Sequence, residues 1–258
     1  LIMILGLLHS GSGLGNQLHR YVMLRCLALD KGLKFGMVAP ENFKGKDFMK
    51  LDMGEPVPFK YHTEMPVGKV VVECDWRVFE ENNLGNSDYD WKGINSIEDN
   101  TIVDGEFQGE MYFYHHLREI KKWLKVKLWH APPDLCVINF RGGEYKYFPE
   151  LYLTKDYWNL AISKMKEIDP FMRFEVHTDD PIEAARFFPD YNIIHDIGTN
   201  WRAVRFAKYL ILSNSSFAIL PAILNKNAKK IIAPKGWARR NTGNPIQKYN
   251  NYRRFEHI

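Results

Sequence analysis

LIMILGLLHSGSGLGNQLHRY, residues 1–21, sets an apolar run against a glycine-rich turn and then a segment of helical periodicity. Leu14, Leu18, Val22, Cys26 and Leu29 step by four or three, which places them on one helix face. The stretch therefore reads as a buried strand, a flexible turn and a helix. A dinucleotide-binding turn has the pattern G-x-G-x-x-G, its third glycine allowing close helix–strand packing. Here Gly11, Gly13 and Gly15 are spaced two apart, and Asn16 stands where the last glycine belongs. No Walker lysine follows, because Gln17 and Leu18 hold that place. What remains presents backbone N–H groups at a helix start to an anion or polar ligand, or else is a tight turn with no ligand. Asn16, Gln17, His19 and Arg20 add donors that a bare turn does not require.

Further apolar runs with strand character occupy 34–39, 69–74, 135–140, 173–177, 191–195, 209–213 and 230–233. Helical patterns fall at 109–127, 155–168, 181–188 and 215–226. Such alternation implies parallel sheets with crossover helices. Segment 40–104 differs, being rich in Gly, Pro, Asn and Asp with short strand signals. The charged helix expected at 109–127 stops before HAPPD at 130–134, whose two prolines break helical continuation. We therefore expect two α/β halves, 1–130 and 131–258.

The chain of 258 residues carries a net charge of only +4, which does not mark a nucleic-acid binder. Between Lys229 and Arg254, however, lie eight Lys or Arg and no acidic residue. That stretch is either a solvated tail or a contact for phosphates or an anionic membrane face. With Tyr249, Tyr252 and Phe255 it also suggests stacking on nucleic acid, but basic residues elsewhere are offset by acids, and no nucleic-acid partner is expected. Cys26, Cys74 and Cys136 are widely spaced without a CxxC pair, so neither a disulfide framework nor a cysteine zinc site is indicated. The expected location is cytoplasmic, with peripheral membrane contact through the basic stretch as an option. The only D-x-D tripeptide, Asp88-Tyr89-Asp90, reads as a loop and not as a metal site. His115-His116 reads as a wetted helix face, since adjacent residues do not share one face.

Five elements in order resemble one family. GLGNQ at 13–17, GEFQGEMYF at 105–113, INFRGGEY at 138–145, HTDDP at 177–181 and SNSSFAILPAILNKNAKKIIAPKGW at 213–237 are similar to the motifs of α-1,2-fucosyltransferases. In that comparison Gly109 replaces a serine, Asn139 a histidine, Gly142 an arginine, Glu144 an aspartate, and Ile219-Leu220 a pair of tryptophans. The resemblance implies a GT-B fold, two Rossmann-like halves facing across a cleft, with the donor on the second half and the acceptor on the first. It implies inverting, metal-independent transfer of fucose from GDP-fucose to a glycan hydroxyl, with no further cofactor. The alternatives are another nucleotide sugar, or a non-catalytic glycan- or nucleotide-binding protein on the same fold.

Breaking an anomeric C–O bond to a nucleoside diphosphate leaves negative charge that fixed donors must stabilise. Arg141 follows the run LCVINF and should emerge at the carboxyl end of a strand, where open α/β sheets bind ligands. Its fork can bridge two phosphate oxygens, or pair with a carboxylate such as Glu144. Asn214, Ser215, Ser216 and Phe217 open the helix expected at 215, and that helix start can face a phosphate. Asp179 and Asp180 can accept from the guanine edge, as the resemblance implies, while Asp180 also suits a helix N-cap. Asn139 would lie near the base. Gly13, Gly15, Asn16 and Gln17 complete the expected donor set; His19, Gln108 and Glu110 are expected on the acceptor side. For the general base, Glu144 comes first, then Glu110 and His19.

Overall fold

The computed structural model describes residues 2–81, 91–149, 151–235 and 254–258. Two compact units, Leu1–Lys125 and Val126–Ile258, divide the chain.

Unit 1 begins with β1 (Met3–Leu7), α1 (Leu14–Lys31) and β2 (Lys34–Val38). Next come β3 (Lys60–Glu64), β4 (Lys69–Glu73), β5 (Arg77–Glu80), α2 (Trp91–Ser96), β6 (Thr101–Asp104) and α3 (Leu117–Trp123). A parallel four-stranded sheet runs β2-β1-β6-β5. Every residue of β1 is buried, as expected of a strand covered on both faces.

Several expectations for unit 1 change. The 69–74 run forms β4, but pairs antiparallel with β3 in a separate hairpin. Hairpin and opening loop lock together: Gly68 O accepts from Ser10 N at 3.0 Å, and a Cβ on Gly11 would meet Val67 O at 2.3 Å. Leu29 does not join the buried face of α1; it is 53% exposed. The helix expected at 109–127 is only the short α3, preceded by 3-10 turns at Glu110–Tyr112 and Tyr114–His116. Phe113 interrupts it with φ −149° and ψ −4°. That backbone lets Tyr112 and Phe113 both enter the core, where neighbouring residues of one α-helix would diverge.

Unit 2 holds β7 (Leu135–Phe140), α4 (Lys155–Ile168), β8 (Arg173–Thr178), α5 (Pro181–Phe187) and β9 (Asn192–Ile194). Then follow α6 (Ile197–Phe206), β10 (Tyr209–Leu212), α7 (Ser216–Leu224), β11 (Lys230–Ala233) and β12 (Phe255–His257). Six parallel strands run β12-β11-β10-β7-β8-β9. The chain builds outward through β8 and β9, returns to the other side of β7, and continues outward again. This is the Rossmann order, reversing between β7 and β10.

Strand period two divides the core into two layers. Cys136, Ile138 and Phe140 pack with Trp158, Ala161 and Met165 of α4 and Ala184 of α5. Leu135 and Val137 pack with Ala203 and Val204 of α6 and Ala218 and Ala222 of α7. Trp158 is 2% exposed; truncating such a residue to alanine costs about 3–5 kcal/mol.

Phe255 of β12 is 9% exposed and packs in the second layer, which removes it from any stacking role. Arg254 donates to Ala222 O, Ile223 O and Asn225 O at the carboxyl end of α7. At least this arginine of the basic stretch serves the fold. Residues 236–253, including Tyr249 and Tyr252, lie outside the described residues, and so does Asp88-Tyr89-Asp90.

Candidate functional site

In an open α/β sheet, ligands bind outside the carboxyl ends of the strands where strand order reverses. Unit 2 places several of the expected residues there. Asn139 ends on β7 opposite Leu212 of β10, and its Oδ1 accepts from the Ser213 hydroxyl at 2.9 Å. This bond joins the two strands at the reversal. Arg141 leaves β7 one residue beyond Phe140, with its side chain 27% exposed. It donates to Asp179 through Nη1, lies 3.6 Å from Glu144 Oε1, and rests over the Tyr145 ring at 5.1 Å.

The expected roles of the two aspartates shift. Asp179 accepts from Arg141 and, at 3.0 Å, from the Gly142 N–H. It is the residue that orients the arginine. Asp180 caps α5, accepting from Glu183 N at 3.0 Å, and pairs with Lys146 Nζ at 2.8 Å. Partial burial pushes its carboxyl up, but the Lys146 and backbone hydrogen bonds outweigh this and hold it below the usual range. The two glycines are needed for this packing. A Cβ on Gly142 would meet Asp180 Cβ at 2.8 Å, and Gly143, at φ +33°, leaves room for Asp179 Oδ2.

On the β10 side, Ser215 is the N-cap of α7, accepting from Phe217 N at 3.3 Å. Asn214 Nδ2 donates to Leu151 O at 2.9 Å, tying the loop after β7 to the start of α7. Ser216 and Phe217 are half-buried, and Phe217 meets the Trp201 ring edge-on at 5.7 Å. Of the serine-rich run, Ser213 and Ser215 have assigned partners within the fold, while Ser216 opens the helix.

Unit 1 has a polar cluster at the equivalent place, outside the carboxyl ends of β1 and β6. His9 Nδ1 accepts from Val70 N at 2.9 Å, and its Nε2 donates to both Asp104 oxygens at 3.2 Å. Arg20 donates to the same carboxylate and lies 3.5 Å from Glu106. Gln108 Nε2 bridges Glu106 Oε2 and Asn16 Oδ1, both at 3.0 Å. Burial pushes the Asp104 carboxyl up, but the His9 hydrogen bond and the Arg20 charge more than offset this and hold it at about 2. Asp104 is therefore a fixed anion and no proton acceptor near neutral pH.

Asn16 and Gln108 thus come together as candidates, whereas two neighbours do not. Gln17 has no exposed surface, and its amide donates to His9 O and Asn42 O and accepts from Lys44 N. It braces the loop from within and is not available to a donor sugar. His19 is equally buried, with Nδ1 bonded to Gly15 O at 2.9 Å and its ring 5.9 Å from that of Phe113. Neither can meet a ligand without the core opening. Gly13 is the N-cap of α1, with open space where a Cβ would point and no side chain capping the first turn. Gly15 is buried in that first turn, and Glu110 begins the 3-10 turn beyond Gln108. His9, Asp104 and Glu106 were not among the sequence candidates. Their signal is position, since His9 directly follows the first apolar run and Asp104 ends a strand.

The chain is an α/β fold of two Rossmann-like units, and its structural neighbours are GT-B glycosyltransferases. Among solved structures, the chain is similar to NodZ α-1,6-fucosyltransferase soaked with GDP-fucose, with a TM-score of 0.52, 13% identity, and 95% and 98% of the two chains covered. Escherichia coli heptosyltransferase WaaC with ADP aligns at a TM-score of 0.44, 12% identity, and 93% and 89% coverage. No family model matches the chain, and no curated protein matches its sequence. Among the described residues, no helix is long and apolar enough to cross a membrane.

Proposed function

We propose that the chain is a glycosyltransferase that moves fucose from GDP-fucose to a hydroxyl of a glycan acceptor, with inversion and without a metal ion in the chemical step. The observation that carries this reading is the placement of Arg141 just beyond the carboxyl end of β7, partly exposed and oriented by Asp179 at the end of β8. The fold shared with a fucosyltransferase supports it.

In this mechanism the acceptor oxygen attacks the anomeric carbon as the C–O bond to the diphosphate breaks. Arg141 receives the growing negative charge, with Asp179 fixing its orientation and the first-turn N–H groups of α7 adding positive potential. Asn139, nearly buried and bonded to the Ser213 hydroxyl, holds the two strand ends together beneath the base. Glu144, exposed and unconstrained by a short bond to Arg141, takes the acceptor proton. The cluster of Asn16, Glu106 and Gln108 orients the acceptor sugar on unit 1. Basic residues of 229–254 other than Lys230 and Arg254, which are tied into the fold, hold the protein near a membrane-borne acceptor.

A panel of nucleotide sugars tests the reading. GDP-fucose should protect best against thermal unfolding and release GDP in the presence of EDTA. Protection by another donor reassigns the sugar, and turnover that needs Mn²⁺ overturns the metal-free step. One observation favours a second reading, ligand binding without turnover. Arg141 and Lys146 face three carboxylates, Glu144, Asp179 and Asp180, so a diphosphate must compete with them. Protection by GDP-fucose with no GDP release would select it.

A further inference from the structure

We propose that Asp30, His115 and His116 form a binding site for a divalent transition-metal ion of the zinc class, on unit 1 and separate from the sugar-transfer chemistry. Asp30 lies in the last turn of α1, fourteen residues from Asn16 and so about 20 Å along the helix from the polar cluster.

The two histidines read as diverging on a helix, but the structure corrects this. They sit in the 3-10 turn Tyr114–His116, their ring centroids 4.3 Å apart, and both converge on Asp30. His115 Nε2 lies 3.1 Å from Oδ2 and His116 Nε2 lies 2.7 Å from Oδ1. One ligand atom from each residue falls within 4.8 Å of the others, the spacing that can surround one ion. Tetrahedral zinc with bonds of about 2.1 Å has ligand edges of about 3.4 Å, so the two nitrogen–oxygen contacts open by a few tenths of an ångström while the widest spacing, at most 4.8 Å, closes around the ion.

Three further features suit a metal. Glu119 Oε2 lies 3.9 Å from the other nitrogen of His116, beyond hydrogen-bond distance but near enough that a closer approach would fix the Nδ1–H tautomer and turn the Nε2 lone pair toward the ion. Two imidazoles with one carboxylate favour zinc, nickel or copper over magnesium and calcium. Asp30 and His115 are well exposed, which admits water to the remaining coordination positions. Cys26, one turn back, is buried and lies outside this group of ligand atoms.

An ion held here would cross-link the end of α1 to a segment 85 residues later. The test uses protein free of any histidine tag, with Zn²⁺ titrated by calorimetry and Co²⁺ absorption as a second readout. The expected result is one ion per chain at micromolar affinity, with a melting temperature about 5 °C higher at a hundredfold excess over Kd. Asp30→Asn, which keeps the size of an exposed side chain, and His116→Ala should each weaken binding at least tenfold. Absence of saturable binding below millimolar Zn²⁺ would overturn the proposal, and so would one-to-one binding unchanged in both variants. Neither readout depends on sugar transfer.

Discussion

Each unit sets an arginine against a carboxylate outside the carboxyl ends of its strands, and the two are used in opposite ways. In unit 1, Arg20 projects from a helix, is 8% exposed, and is tied to a carboxylate that is itself mostly buried. In unit 2, Arg141 comes from a loop, is 27% exposed, and has one close carboxylate and one at 3.6 Å. A strand reversal gathers polar groups in either case, because helix starts and strand ends meet there. Burial then decides the outcome. A guanidinium enclosed with its partner becomes a strut, while one left partly in water retains N–H groups that a ligand can claim.

Substitution of the two arginines separates these roles. Arg20→Met leaves Asp104 buried with only His9 and Gly105 N as neighbouring donors, so stability of unit 1 should fall by about 3–5 kcal/mol. Chemical unfolding followed by Trp76 fluorescence, with the other six tryptophans replaced by phenylalanine, reads this loss; an unchanged midpoint would mean that the pair is not a strut. Arg141→Ala should leave the melting temperature within about 2 °C, since a partly exposed pair contributes little. Its effect should appear in turnover, with kcat down about 10²- to 10³-fold. If instead the protein unfolds and the residual turnover per folded molecule is normal, the contrast between the two arginines fails.

Acid should act on the same contrast from the carboxylate side. The folded-state pKa of Asp104 is depressed to about 2, against an unfolded value near 3.9. A depressed pKa gives stability that is complete above the unfolded value and disappears as pH falls through the folded one. Unit 1 should therefore lose about 2 kcal/mol between pH 4 and pH 2 from this residue. Asp104→Asn should flatten that part of the pH–stability curve, as measured by urea unfolding at each pH. Asp180 is depressed in the same direction, but Lys146 beside it is partly in water, so salt should remove most of its share.

Burial also explains how much could be read in advance. Unit 2 was legible because LCVINF and YLIL are strands covered on both faces, which read as apolar runs, while RFEVHT shows its apolar residues at alternate positions. In unit 1, β6 is only TIVD, set between IEDN and GEF, and β5 is RVFE with its residues mostly exposed at a sheet edge. Neither has enough apolar length to stand out, and without β6 the sheet's central pairing is hidden. The unit 1 cluster was hidden with it, since His9 and Arg20 reach Asp104 across 95 and 84 residues. Arg141 could be placed from local sequence because it follows a legible strand. Gln17 and His19 could not, because a polar residue in a glycine-rich loop reads the same whether it faces solvent or braces the core.

Asp180 gives the smallest effect and the finest test, because capping and base recognition demand different things of it. Capping needs only an oxygen that accepts from Glu183 N, and asparagine supplies one. Recognition of guanine through paired acceptors needs the carboxylate, since an amide replaces one acceptor with a donor. Asp180→Ala should therefore cost about 1 kcal/mol of stability, and Asp180→Asn should restore most of it. If Asp180→Asn also keeps the proposed preference for GDP over ADP and UDP in thermal-shift titrations, Asp180 is a cap alone and the base is read elsewhere. If stability returns while that preference is lost, the residue serves both purposes, and the carboxylate that ends the strand-to-helix turn is part of the donor site.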